Sequence, residues 1–129
     1  MSDKGFKKND LGKDRMTLVP PEAVRGVAKV MTFGERKYAA NNWRQPTEWS
    51  RFLDAAKRHL NDFECGVNWD VGEGGSGLHV IDHAIAELMM LSASIKNGVG
   101  TDDRPRVPNT IEWALTCSMV SLAPECDEE

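Results

Sequence analysis

The stretch from Gly77 to Leu91 constrains this chain more than any other. It holds two of the three histidines, two carboxylates and an almost unbroken set of apolar residues. On a helix of 3.6 residues per turn, Val80, Ile81, Ala84, Ile85, Leu88, Leu91 and Ser92 share one broad face. His79, Asp82, His83, Ala86, Glu87 and Met90 share the other. A helix this apolar has to be covered by other helices, and its polar side carries potential metal ligands where a solvated face would carry lysines.

The rest of the chain supplies such partners. Leu18, Val19, Pro20, Pro21 and Glu22 read as a helix entry, because proline is tolerated in a first turn and an acid there favours the helix dipole. Ala23, Val24, Val27, Ala28, Val30, Met31 and Tyr38 then recur at helical spacing, with a kink or break expected at Gly34. The segment from Ala39 to Pro46 reads as an irregular connection. Thr47 is the expected N-cap of a second helix whose apolar stripe is Trp49, Phe52, Leu53, Ala56, Leu60 and Phe63, with His59 on that stripe and Cys65-Gly66 as its end. The glycine-rich stretch Gly66–Gly77 matches no phosphate-binding fingerprint and reads as a mobile loop able to close over a site. A third helix is expected to end near Lys96-Asn97-Gly98. No period-2 strand pattern of useful length and no internal repeat is present, so the expected fold is all-α, a bundle of about four helices.

The chain divides, on this reading, into a basic arm (1–17), a helical core (18–98), and a linker with a short helix around Thr110–Val120 and an acidic tail (99–129). At 129 residues it suits one core. A net charge of −4 argues against general nucleic-acid binding. No run approaches the roughly 20 apolar residues of a membrane span. Three widely spaced cysteines suggest reduced thiols, and with no apolar leader at the N-terminus the expected location is the cytoplasm.

Candidate chemistry sits beside the apolar stripes. Glu22, Glu35 and Lys37 belong to the first helix, Arg58, His59 and Asp62 to the second, and His79, Asp82, His83 and Glu87 to the third. Acids from facing helices can hold Mg²⁺ or Mn²⁺, which stabilise charge in phosphoryl transfer. Asn42 and Trp43, in a loop, are candidates for a base pocket. Two histidine-rich hydrolase patterns fit poorly. The doublet Asp82-His83 reverses the His-Asp order of metal-dependent phosphohydrolases, and His79-x-x-x-His83 has Val80 where a zinc hydrolase needs glutamate.

Four blocks carry a resemblance. Residues 9–23 include Asp10, Gly12, Lys13, Arg15, Pro20, Pro21 and Glu22. Thr32–Tyr38 is followed by Asn42-Trp43, then come Ala55–Leu60 and Ser76–His79 with Asp82-His83-Ala84. In this order, over about residues 7–95, they resemble a family of small phage dATP/dGTP diphosphohydrolases, which is similar to the MazG-like all-α nucleoside triphosphate pyrophosphohydrolases. The resemblance implies Mg²⁺-dependent cleavage between the α- and β-phosphates of a purine dNTP, yielding dNMP and pyrophosphate in the host cytoplasm. It implies Glu22, Glu35, Asp82 and Glu87 as metal ligands, with Asp82 the first residue to test. Asp82, His83, Lys37, Arg58 and His59 would act in catalysis, and Lys13, Arg15, Tyr38, Asn42, Trp43 and His79 would bind substrate. The sequence departs from the wider MazG-like pattern where Arg25 and His79 stand in place of paired acids. A nucleotide-sequestering protein without hydrolysis is the alternative. A homodimer or homotetramer is expected, since wide apolar stripes plus Ile111, Trp113 and Leu115 exceed what one small bundle covers.

Overall fold

Pro20 and Pro21 open the first helix, α1 (Pro21–Tyr38), with Glu22 in its first turn and Arg36 and Lys37 in its last, each at the end of the dipole that favours its charge. The computed structural model describes residues 5–105. The break expected at Gly34 is absent. Nothing approaches within 4 Å of where a Cβ would stand, and α1 runs through that position uninterrupted. The helix stops where the backbone changes hand: Ala39 has φ 113° and Asn41 φ 62°, before a short 3₁₀ turn at Asn42–Arg44. Positive φ suits asparagine but strains alanine.

The second helix, α2 (Trp49–Glu64), is not capped by Thr47. Its N-terminus is held by Asp103, whose carboxylate accepts the Ser50 N–H at 3.0 Å and the Ser50 hydroxyl. Thr47 instead joins a clasp with residues 99–101. Thr101 N–H donates to the Thr47 carbonyl at 3.0 Å, Trp49 N–H donates to the Thr101 carbonyl at 2.9 Å, and Trp49 Nε1–H donates to the Val99 carbonyl at 2.9 Å. Residues 99–104, expected as a linker, thus belong to the α2 entry. Cys65 and Gly66 end α2 as expected, with Gly66 at φ 96°.

From Asn68 to Val80 the chain makes a tight ribbon. Asp70 N–H bonds the Leu78 carbonyl at 2.8 Å, Gly77 N–H the Asp70 carbonyl at 2.7 Å, and Val80 N–H the Asn68 carbonyl at 2.9 Å. The ribbon holds one isolated bridge, Trp69 to His79, and among the described residues there is no strand. His79 lies outside α3 (Val80–Asn97) and caps it, its Nδ1 accepting the Ile81 N–H at 3.0 Å. Gly98 at φ 67° closes the other end.

The third helix packs against both α1 and α2. Towards α1, Ala86 is buried with Val27 and Val30, and Met31, Leu78 and Ile85 close the cluster. Phe52 and Ala56 of α2 and Val80 and Ala84 of α3 complete the buried apolar set. Because α3 is covered on two sides, its expected division into an apolar and a polar face fails. Ala86 and His83, assigned to the polar face, are both buried. The all-α fold holds. The helix expected around Thr110–Val120 lies outside the described residues.

Contacts divide the chain into two units, Val19–Arg104 and Met1–Leu18 with Pro105–Glu129. In the second of these the described residues form an exposed arm. Lys13 N–H bonds the Asp10 carbonyl at 3.0 Å, and a 3₁₀ turn spans Met16–Leu18.

Two substitutions test these joints. Gly100 has φ 92°, and an added Cβ would collide with the Thr47 carbonyl. Gly100→Ala is expected to lower stability by about 2 kcal/mol, through backbone strain and loss of the clasp, as read by urea unfolding. Ala39→Gly is expected to act oppositely, stabilising by about 1 kcal/mol as positive φ becomes unstrained. A destabilised Ala39→Gly variant would contradict the strain.

Candidate active site

A cleft of about 1090 Å³ opens along α2 and α3 and is closed by the C-terminal half of α1, the 39–47 connection and the loop that follows Asp70. It collects most of the residues singled out in the sequence. The first helix gives Glu35, Lys37 and Tyr38, the connection Asn42 and Trp43, α2 Arg58 and His59, and α3 His83 and Glu87. On α2, Arg58 and His59 are neighbours in sequence. On α3, His83 and Glu87 are one turn apart and share a direction.

The floor of the cleft is a hydrogen-bonded group around His83, which is 8 % exposed. Its Nε2 lies 2.6 Å from Ser76 Oγ and 3.4 Å from Asp70 Oδ2. Ser76 in turn holds Asp70: its N–H and its hydroxyl both reach Oδ2, at 3.0 and 3.1 Å. The His59 ring stacks on His83 with centroids 4.7 Å apart and planes 26° off parallel, and His59 Nδ1 is buried without a partner. These are the residues of a Ser-His-Asp hydrolase in a different order. Serine and aspartate meet the same imidazole nitrogen and bond each other, so nothing prepares Ser76 as a nucleophile.

Burial and the neighbouring His59 press the His83 pKa below the ordinary imidazole value, and together they outweigh Asp70 and Asp82, which act the other way. Burial also pushes Asp70 up, but the two bonds from Ser76 and the nearby histidines hold it below the usual carboxylate value. Glu87 is raised by burial, with Arg58 only partly offsetting the effect. The cleft therefore holds an imidazole that takes up a proton reluctantly and, one turn along α3, a carboxyl that gives one up reluctantly.

The Arg44 guanidinium lies 4.3 Å over the Trp43 ring and the Lys37 ammonium 5.3 Å from the Tyr38 ring. One face of the indole is thus already covered by a cation.

The four carboxylates expected around one cation are divided. Glu22 and Asp82 line a second cleft of about 850 Å³, between the start of α1, Phe63 and the ribbon, together with His79. The reason is helical. Asp82 and His83 are adjacent, so their side chains diverge by about 100° around α3. His83 faces α2, while the Asp82 carboxylate sits against the α1 backbone where a Cβ on Gly26 would be. His79 is occupied there as the helix cap, flanked by Trp69 and Phe63 rings at 5.1 and 5.9 Å. Lys13 and Arg15 lie on the separate N-terminal arm.

Sequence reasoning missed Asp70 and Ser76. The glycine-rich segment read as a mobile loop is instead tied to the cleft floor by these two side chains. A carboxylate and a hydroxyl six residues apart, inside a glycine-rich loop that runs straight into a buried histidine, are the signal that marks them.

A family model described as dATP/dGTP diphosphohydrolase, N-terminal, matches residues 2–104. A dATP/dGTP diphosphohydrolase of Salmonella phage PMBT28 is 37% identical over 97 residues, which cover 75% of this chain and 32% of that protein. The chain thus spans about a third of the length of this relative. No solved structure matches. The match over most of the chain, in the segment that builds the cleft, places it by descent: it belongs to the dATP/dGTP diphosphohydrolase N-terminal family.

Proposed function

We propose that this chain binds a purine deoxynucleoside triphosphate, dATP or dGTP, in the cleft between α1, α2 and α3, and hydrolyses its α–β phosphoanhydride to dNMP and pyrophosphate. The observation that carries the reading is the convergence in one cleft of cations, a neutral buried imidazole and a raised carboxylic acid, in a chain of this family. At about 1090 Å³ the cleft is large enough for a nucleotide. Lys37 and Arg58 would neutralise the phosphates, and Trp43 would meet the base, with Asn42 beside it to read a base edge. His83 would take the proton from the attacking water.

The donor set suits Mg²⁺ of a particular kind. Glu35, Asp54, Asp70, Glu73 and Glu87 all line the cleft, and their hard oxygens match the ion. Among the described residues, however, no three His, Cys, Asp or Glu side chains converge as a metal cage. Mg²⁺ normally keeps several waters and is held by one or two carboxylates and the substrate's phosphates, so a cage is not required. Glu87 and Glu35 are the residues that would hold it. Once bound, the ion would supply positive charge to the phosphate oxygens. Glu22 and Asp82, lining the other cleft, are left out of that role.

A homo-oligomer belongs to the same reading. Leu60 and Phe63 on α2 and Leu88, Met89 and Ile95 on α3 are all between 42% and 53% exposed, which is costly for an isolated bundle. No helix among the described residues is long and apolar enough to cross a membrane.

Incubation of the full chain with each dNTP and Mg²⁺, followed by separation of the products, tests the activity directly. Monophosphate and pyrophosphate are expected from dATP or dGTP. Tight binding with the nucleotide left intact would make the chain a nucleotide-sequestering protein instead. His83→Gln is expected to lower kcat by about 10²-fold or more. Glu87→Gln is expected to lower activity while raising the melting temperature at pH 7, because it removes a charge that burial disfavours. For His83, the folded state binds its proton less readily than the unfolded chain. Stability should therefore fall as pH drops below about 6.5, the unfolded imidazole value, whereas activity should hold until pH nears the lower folded value. A stability profile flat between pH 7 and 5 would contradict the burial of a neutral His83.

A further inference from the structure

The contacts around Ser76 allow its protons to be placed. Ser76 Oγ meets three groups: the Leu78 N–H at 3.1 Å, Asp70 Oδ2 at 3.1 Å and His83 Nε2 at 2.6 Å. The hydroxyl has one hydrogen and two lone pairs, and the Leu78 N–H takes one lone pair. If the hydrogen pointed at His83, the Nε2 lone pair would face the Asp70 carboxylate 3.4 Å away, and Oδ2 would lose a donor. If the hydrogen points at Asp70, every contact is matched. Ser76 O–H donates to Oδ2, and His83 Nε2–H donates to Ser76 Oγ. Only the second placement satisfies a group as buried as this one.

We infer that Ser76, oriented by Asp70, is a positioning residue that holds His83 as its Nε2–H tautomer and leaves Nδ1 as the proton-accepting nitrogen of the ring. The tautomer follows from the hydrogen bonds alone. Its use, with Nδ1 receiving the proton of the attacking water, rests on the reading of the cleft given above. His59, stacked on the ring, limits rotation of the imidazole plane, so the hydroxyl sets the tautomer of a ring already held in orientation. Gly75 shapes the device. A Cβ there would stand 2.5 Å from the Asp70 carbonyl, so the turn that brings Ser76 back onto Asp70 needs glycine at this position.

The test has two independent arms. Nitrogen-15 NMR of the full chain, labelled at histidine and recorded at pH 8, reads the tautomer without any substrate. The wild type is expected to show His83 protonated at Nε2 and bare at Nδ1. Ser76→Ala is expected to shift His83 towards a mixture of tautomers, and Ser76→Thr to restore the wild-type pattern. If Ser76→Ala does not fold, Asp70→Asn, which removes the charge that orients the hydroxyl, is expected to produce the same mixture. In the kinetic arm, Ser76→Ala is expected to lose about tenfold or more in kcat with KM within about twofold, and Ser76→Thr to recover most of the loss. A wild-type His83 protonated at Nδ1 would overturn the inference. So would an unchanged Nε2–H signature in the variants, whatever the rate. Absence of hydrolysis for every dNTP would sink the functional reading alone, because the NMR arm would still decide the role of Ser76.

Discussion

Burying an imidazole in the middle of a helical layer requires polar partners that helices do not readily supply, and much of this structure follows from meeting that need at His83. The ring lies where α3 meets α2, stacked on His59, and the other buried residues of these two helices are the apolar Phe52, Ala56, Val80, Ala84 and Ala86 and the polar Ser94. The loop before α3 turns back to bring a hydroxyl and a carboxylate to Nε2. The ribbon from Asn68 to Val80, the tight turn at Gly75 and the cap at His79 all serve to return the chain to the start of α3 with Ser76 in place. An unpaired polar group at this depth would cost about 1–3 kcal/mol, enough to matter in a domain with so small a buried apolar set.

The same constraint shapes the electrostatics of the cleft. Burial disfavours the charged form of His83 and the stacked His59 adds to the cost, so the ring takes up a proton less readily than an exposed histidine would. Glu87, one turn further along α3, is pushed the opposite way by the same burial. Both displaced pKa values thus arise first from burial along α3. Lys37 and Arg58, which also line the cleft, stay exposed to solvent and so escape the desolvation cost that burial would impose on them.

Much of the fold and part of the cleft were legible in the sequence. Helical spacing located α1, α2 and α3, and glycines marked where α2 and α3 end, because both signals depend on local geometry. Within the cleft, Lys37, Arg58, His59, His83 and Glu87 stood out as chemically suitable residues on helices. Asp70 and Ser76 did not, since a loop residue's partner is set by the path of the whole loop. Asp103 escaped notice for a similar reason. It caps a helix whose first residues lie some 50 positions earlier, and no local pattern connects the two.

Sequence by itself determined that this chain is helical, roughly where its helices run and which side chains could do chemistry, because helical period and glycine stops are properties of neighbouring residues. Its tertiary structure alone decided how those side chains are grouped. Asp82 and His83 are adjacent in the chain yet line different clefts, since a helix sends consecutive side chains about 100° apart and α3 has a neighbour on each side. Which of them belongs with Arg58 and His59 depends on how α3 is rotated between α1 and α2. That rotation is set by packing, with Ala86 against Val27 and Val30, and no spacing rule within α3 could have supplied it.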